Sequence, residues 1–118
     1  MNIEQFRDYC LSKKGVTESF PFDESTLVFK VLDKMFALTG LNAEEASANL
    51  KCEPSRALEL REQYDAVRPG YHMNKKHWNT VLLESDVSDG LLKELIEHSY
   101  ELVVKKMRKK DRALLKNM

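Results

Sequence analysis

The sequence predicts an α+β two-layer domain, a mostly antiparallel sheet with helices on one face. Three observations lead there. Two runs rich in branched and aromatic residues, Thr26–Val31 and Lys34–Thr39, follow each other across a short polar break and read as paired strands. A long stripe of Leu92, Leu95, Ile96, Ser99, Leu102, Val103 and Met107 recurs at helical spacing. The patterns run helix, strands, helix, strand, helix along 118 residues, enough chain for a single domain over 1–118.

The first helix is expected from about Ile3 to Lys13. Asn2 and Gln5 have the spacing of a capping box, Ile3, Phe6 and Cys10 share a face, and Gly15 stops the helix. In the first strand Leu27, Phe29 and Val31 point to the core, while Thr26, Val28 and Lys30 point outward or toward a second layer. Leu32-Asp33 would close the hairpin, although it is not an ideal turn pair. A third short strand is expected over Ala48–Cys52.

Pro54 suits the first position of a second helix, with Ala57, Leu60 and Tyr64 on its apolar side. Pro69-Gly70 is a turn signal. Trp78–Glu84 reads as a fourth strand, with Trp78, Thr80 and Leu82 on one face and Asn79, Val81 and Leu83 on the other. Ser88 caps the last main helix, with Asp89 and Glu94 near its positive end. From about Lys105 a basic tail continues as helix or frays.

The longest apolar run, Met35–Leu38, is far short of the roughly 18 residues of a membrane span, so no membrane partner is expected. The first residues lack a signal-like apolar stretch, and a cytoplasmic protein is expected. Cys10 and Cys52 form no Cys-x-x-Cys pair and read as free, semi-buried thiols. Net charge is zero but uneven. From Lys105 onward there are seven Lys/Arg and one Asp, a balance of +6, against −6 for the preceding residues. Such asymmetry marks an interaction tail; the plainer alternative is a solvated helix end, where cations complement the macrodipole.

Gly70–Val81 is the densest stretch in the chain. It holds two histidines, two lysines, two asparagines and the single tryptophan in twelve residues. That mixture reads as a loop entering a strand and as a candidate surface site.

Five segments carry a family resemblance: Phe20-Pro-Phe-Asp23; Leu27-Val-Phe-Lys30 with Lys34-Met-Phe-Ala37; Leu50-Lys-Cys52 with Pro54; the whole of Gly70–Val81; and His98-Ser-Tyr100 with Val103. In this order they resemble the MmcQ/YjbR family of small bacterial proteins; Arg108–Met118 lies beyond the resemblance. It implies a fold like that of CyaY, the bacterial frataxin, and a DNA-binding role through a double-wing arrangement. It brings no catalytic residue set.

A DNA site needs exposed cations, because phosphate contacts supply most of the non-specific affinity. Lys75, Lys76 and His77 are the densest basic group within the chain. Asn74 and Asn79 could bond phosphates or base edges, and Lys30, Lys34 and Lys51 could extend the patch. Lys105, Lys106, Arg108, Lys109 and Lys110 would add a sequence-independent term. Trp78 could stack on a base, though a lone strand tryptophan is more often core. Overall neutrality and Glu44, Glu45 and Glu84 oppose this reading.

The alternative partner is another protein, engaged through the sheet face or the Gly70–Thr80 loop with Tyr71, Met73 and Trp78 as anchors. Enzymatic activity is not expected: His72, His77, Cys52 and Ser99 offer no nucleophile, base and orienter in one place. No metal or other cofactor is expected either. Glu4, Asp8 and Glu18 are too sparse for a hard cation, and His72 with His77 lacks a third ligand.

Overall fold

A computed structural model describes residues 1–118. Six strands form one antiparallel sheet: β1 (Val16–Ser19), β2 (Thr26–Val31), β3 (Lys34–Gly40), β4 (Ser47–Lys51), β5 (Val67–Pro69) and β6 (Trp78–Leu82). Their order across the sheet is β1-β2-β3-β4-β6-β5. Four helices accompany them: α1 (Ile3–Leu11), α2 (Pro54–Gln63), α3 (Asp89–Lys105) and α4 (Lys109–Lys116). The two-layer α+β expectation holds. Two short edge strands and one helix join the elements expected from the sequence.

The additions have physical reasons. Val16–Ser19 has only four residues and alternates half-buried with exposed, too brief a pattern to stand out. Val67–Pro69 ends in proline, which an edge strand tolerates because one side of its backbone is unpaired. The tail is helical, as one of the two expectations had it, but as a separate helix. It turns at Lys106 and Met107, and α4 docks through buried Leu115. Leu115 packs over Gly15, whose φ is +73°; a Cβ there would lie 2.6 Å from a Leu115 methyl.

Local chemistry sets the helix ends. The Asn2 side chain accepts from the Gln5 amide at 2.8 Å while the Gln5 side chain accepts from the Asn2 amide at 2.9 Å. Both arms of the capping box are therefore present. Glu53 caps α2, accepting from the amides of Ser55 and Arg56, with Pro54 in the first turn. Ser88 accepts from the Leu91 amide and caps α3.

In the β2–β3 hairpin both turn residues adopt positive φ, 45° for Leu32 and 69° for Asp33. That backbone matches the twist of the flanking strands, although a left-handed leucine costs about 1–2 kcal/mol. Phe29 pairs with Ala37 while Lys30 pairs with Met35, so Phe36 is an extra residue in β3. This bulge lets Phe36 and Ala37 both reach the core.

The main core lies between the sheet and the helices. Leu27, Phe29 and Val31 meet Phe6 and Cys10 of α1, and Leu92, Leu95, Ile96 and Val103 of α3. Phe6 meets Phe29 edge-on at 5.8 Å, a geometry that adds about 1 kcal/mol beyond area burial. The opposite face of the sheet carries no helix. It holds a small cluster of Val28, Leu38 and Trp78, with Met35 and Met73 against it. Trp78 is thus buried, but outside the main core. No helix is long and apolar enough to cross a membrane.

Candidate nucleic-acid interface and the open sheet face

The strand register defines two ends of the molecule. β2 runs toward the Leu32-Asp33 turn, β3 starts there, β4 ends there at Lys51 and β6 starts there at Trp78. This is the Lys34 end. The opposite end holds the loop with Glu44 and Glu45. α1 and α3 both run from the Glu44 end to the Lys34 end: the Met1 amino group touches the Leu83 carbonyl and Asp89, whereas Tyr100 donates to the Lys14 carbonyl.

This topology gathers cations at the Lys34 end. Lys30 and Lys51 lie on the open face, both half-buried, on strands flanking β3. Lys75 and Lys76 are exposed in the turn leading into β6. Lys105 and Lys106 close α3, and Arg108, Lys109 and Lys110 open α4. Burial, and then the Lys106 ammonium, lower the proton affinity of Lys51. Of these residues only Arg108 forms an ion pair, with Asp111 at 3.5 Å.

Carboxylates at this end include Asp33, Glu53, Glu101 and Asp111, and the C-terminal Met118 packs beside Gly15 there. Glu53 is committed to Ser55 and Arg56 of its own helix. Asp23, Glu44, Glu45, Glu84, Asp86 and Asp89 lie at the other end. A neutral chain thereby becomes a charge dipole, and Glu44, Glu45 and Glu84, expected to oppose the patch, lie at the far end from it. The cations are not confined to one sheet face. They wrap the end of the molecule across both layers.

The Gly70–Val81 stretch is a tightly bonded turn. The Gly70 amide donates to the Trp78 carbonyl at 3.0 Å, and a Cβ on Gly70 would meet Trp78 Cβ and O at 2.9 Å. Only glycine fits there. The Tyr71 amide donates to Thr80 Oγ1, whose hydroxyl donates to Asn49. The Asn74 side-chain oxygen accepts from the Lys76 amide at 3.0 Å, and its carbonyl accepts from the amides of His77 and Trp78. The Lys75 ammonium bonds the Gly70 carbonyl at 3.1 Å while staying exposed. The half-buried His77 offers its carbonyl to the Cys52 amide.

Asn79 belongs elsewhere. Its side chain is buried on the helix side, where its oxygen accepts from Arg61 Nε at 2.7 Å. Burial removes it from any surface that could meet phosphate. Arg61 also donates to the Lys75 and Trp78 carbonyls, so one guanidinium ties α2 to the whole turn. Sequence reasoning missed Arg61. Its only signal was an arginine next to the apolar position Leu60.

His98, Ser99 and Tyr100 each fasten α3 to a different element. His98 Nε2 accepts from the Glu53 amide at 3.1 Å at the entry to α2. Burial first, and then the Arg56 charge, hold the His98 imidazole below its usual pKa. Fully buried Ser99 accepts from the Lys51 amide and donates to the Phe36 carbonyl, bridging β3 and β4 at the bulge. Tyr100 reaches the Lys14 carbonyl at 2.6 Å. Cys10 and Cys52 are both buried, and desolvation pushes both thiols up, away from the reactive thiolate. No three His, Cys, Asp or Glu side chains converge on a point.

The open face also carries a concavity of about 840 Å³. Met35, Leu38 and Leu82 line its floor, Phe22, Tyr71 and Met73 its sides, and Asp23, Glu44 and Glu45 its acidic wall. Arg68 is its one full cation, and none of the lysines considered above reaches it.

The YjbR family model matches residues 11–102, the whole of the sheet, α2 and most of α3. The chain belongs to the YjbR family. The uncharacterised protein YjbR of Escherichia coli is 34% identical over 115 residues, covering 98% of each chain. The uncharacterised protein YbdF of the same species is 39% identical over 92 residues, 78% of this chain and 75% of that protein. Among solved structures, a Deinococcus radiodurans protein of the DUF419 domain family superposes with a TM-score of 0.90 at 43% identity, covering 97% of this chain and 87% of that one. A Pseudomonas syringae protein follows at a TM-score of 0.76 and 32% identity, covering 87% and 99%. Arg108, Lys109 and Lys110 lie outside the span of the YjbR family model.

Proposed function

We propose that this YjbR-family chain binds double-stranded DNA through phosphate contacts at the cationic Lys34 end. One observation carries the reading. Amines from four separate stretches, Lys30 with Lys34, Lys51, Lys75 with Lys76, and Lys105 to Lys110, meet at one end of a neutral molecule. A field of this shape orients a polyanion even when the total charge is zero.

Lys75 and Lys76 make the central contacts, because both are exposed in a turn that Arg61 and Asn74 hold rigid. The Asn74 side-chain oxygen is occupied, which leaves its amide nitrogen to donate to phosphate. Lys51, Lys106 and the start of α4 extend the track across the end of the sheet. Contacts of this kind position the protein without reading sequence. The reading is non-enzymatic and asks for no cofactor.

Fluorescence anisotropy with a labelled duplex tests it. Binding should be measurable at about 50 mM salt and weaken steeply as salt rises. Lys75→Glu with Lys76→Glu should weaken binding to all sequences alike and reduce the log–log salt slope by about 2. Absence of any anisotropy change at low salt retires the proposal.

A further inference from the structure

We infer that the concavity on the open sheet face is a docking site for an extended peptide segment of a partner protein, one that carries Lys or Arg beside apolar side chains. The inference takes up the sheet face as an interaction surface and does not rest on the nucleic-acid reading.

The shape comes first. No helix covers this face, and its hollow of about 840 Å³ is near the upper end of the range for ligand pockets. The floor of Met35, Leu38 and Leu82 is apolar. Phe22 and Tyr71, 66% and 70% exposed, stand on its sides. Two large aromatic rings left that open beside an apolar floor supply the kind of surface that buries on binding. Strand order separates them: Phe22 follows β1 on one flank, and Tyr71 follows β5 on the other. An occupant touching both must cross the sheet, which a small amine cannot do.

The charge then selects the occupant. Glu44 and Glu45 are exposed, form no ion pair, and line the hollow at one end. Asp23 joins them, its carboxylate held in place by the amides of Ser25 and Thr26. Arg68 is the only opposing full charge. Such a wall repels phosphate and attracts ammonium or guanidinium, so the site is complementary to basic and not to acidic segments. The Tyr71 end is kept in register by Thr80 and Asn49, which leaves the aromatic side preformed.

The test uses the intact protein and two fluorescein-labelled hexapeptides, the basic FKLKFK and the acidic FELEFE. Expected is saturable binding of the basic peptide and at least tenfold weaker binding of the acidic one. Glu44→Arg with Glu45→Arg should invert that preference, and Tyr71→Ala should weaken the basic peptide several-fold, with circular dichroism unchanged in both variants. Lys106→Glu with Lys109→Glu, both outside the lining of the concavity, should leave peptide binding intact, which separates this result from any failure of DNA binding. Several outcomes overturn the inference: no binding up to millimolar peptide, binding that survives the Glu44/Glu45 reversal, or hexylamine binding as tightly as the peptide. A concentration-dependent self-association in sedimentation that disappears in the Glu44/Glu45 variant also overturns it, in favour of a second copy of the chain.

Discussion

Lys51 at the end of β4 and Lys106 just past the end of α3 lie at the same end of the molecule. Burial lowers the proton affinity of Lys51, and the Lys106 ammonium lowers it further. Two elements from different layers thus deliver like charges to one place, an arrangement that costs folding free energy and that a bound polyanion would relieve. Single reversals, Lys51→Glu and Lys106→Glu, should each reduce the salt slope of DNA binding by about 1. Salt-titrated anisotropy checks this. A loss from Lys51→Glu alone would mean that the helix layer takes no part.

Arg61 should matter to stability more than its position suggests. Arg61→Ala leaves the buried Asn79 oxygen without its donor and releases the Lys75 and Trp78 carbonyls. An unsatisfied buried polar group costs about 1–3 kcal/mol. Urea denaturation should show a loss in that range. Lys at position 61 should recover part of it, since one ammonium can still reach Asn79 but cannot serve three acceptors in fork geometry.

Gly70 should tolerate no side chain. Gly70→Ala places a methyl 2.9 Å from both Trp78 Cβ and the Trp78 carbonyl. Backbone atoms cannot swing aside, so the turn must shift, at a cost of about 1–3 kcal/mol. Thermal denaturation should show a lower midpoint. Intrinsic Trp78 fluorescence should move to the red as the small open-face cluster loosens.

His98 gives the fold a pH dependence of defined sign. Its folded pKa lies below the reference value of 6.5 because burial, and then Arg56, disfavour the imidazolium. The unfolded chain therefore binds the proton more readily. The stability from neutral His98 is fully present above pH 6.5 and is lost as pH falls through the lower folded pKa. Protonation would also turn the Nε2 acceptor of the Glu53 amide into a donor. Urea midpoints should drop between neutral and mildly acidic pH, and a His98→Gln variant should show a flatter profile over that window.

Much of the architecture was legible because local rules and tertiary packing agree. The Asn2 capping box, Pro54 at the start of α2 and the Ser88 cap took their expected places, as did Leu92, Leu95, Ile96, Ser99 and Val103 of the α3 stripe; Leu102 is half-buried and Met107 packs from the turn beyond the helix. The facing of β6 was also legible: Trp78, Thr80 and Leu82 share the open side, while Val81 lies in the main core. Asn79 shows the limit of alternation. The pattern set it opposite Trp78, but an asparagine in a basic stretch looks like a surface residue until the arginine of another element claims it.

The edge strands and α4 were hidden for a different reason. Each is short, and each is stabilised by contacts remote in sequence, such as Leu115 over Gly15. The concavity was illegible as well. Phe22, Glu44 and Tyr71 come from three loops whose meeting depends on strand order. The convergence of the lysines has the same origin, since no local pattern joins Lys30, Lys51, Lys75 and Lys106.

The most direct test of the account maps DNA onto the protein by amide chemical-shift perturbation in ¹⁵N–¹H spectra during a titration with a short duplex at low salt. The account predicts shifts clustered at Lys30, Lys34, Lys51, Lys75, Lys76 and Lys105 to Lys110, fading as salt is added, with Asp23, Glu44 and Glu45 unmoved. Perturbations centred on the Glu44 end, or a spectrum that the duplex leaves unchanged, would contradict it.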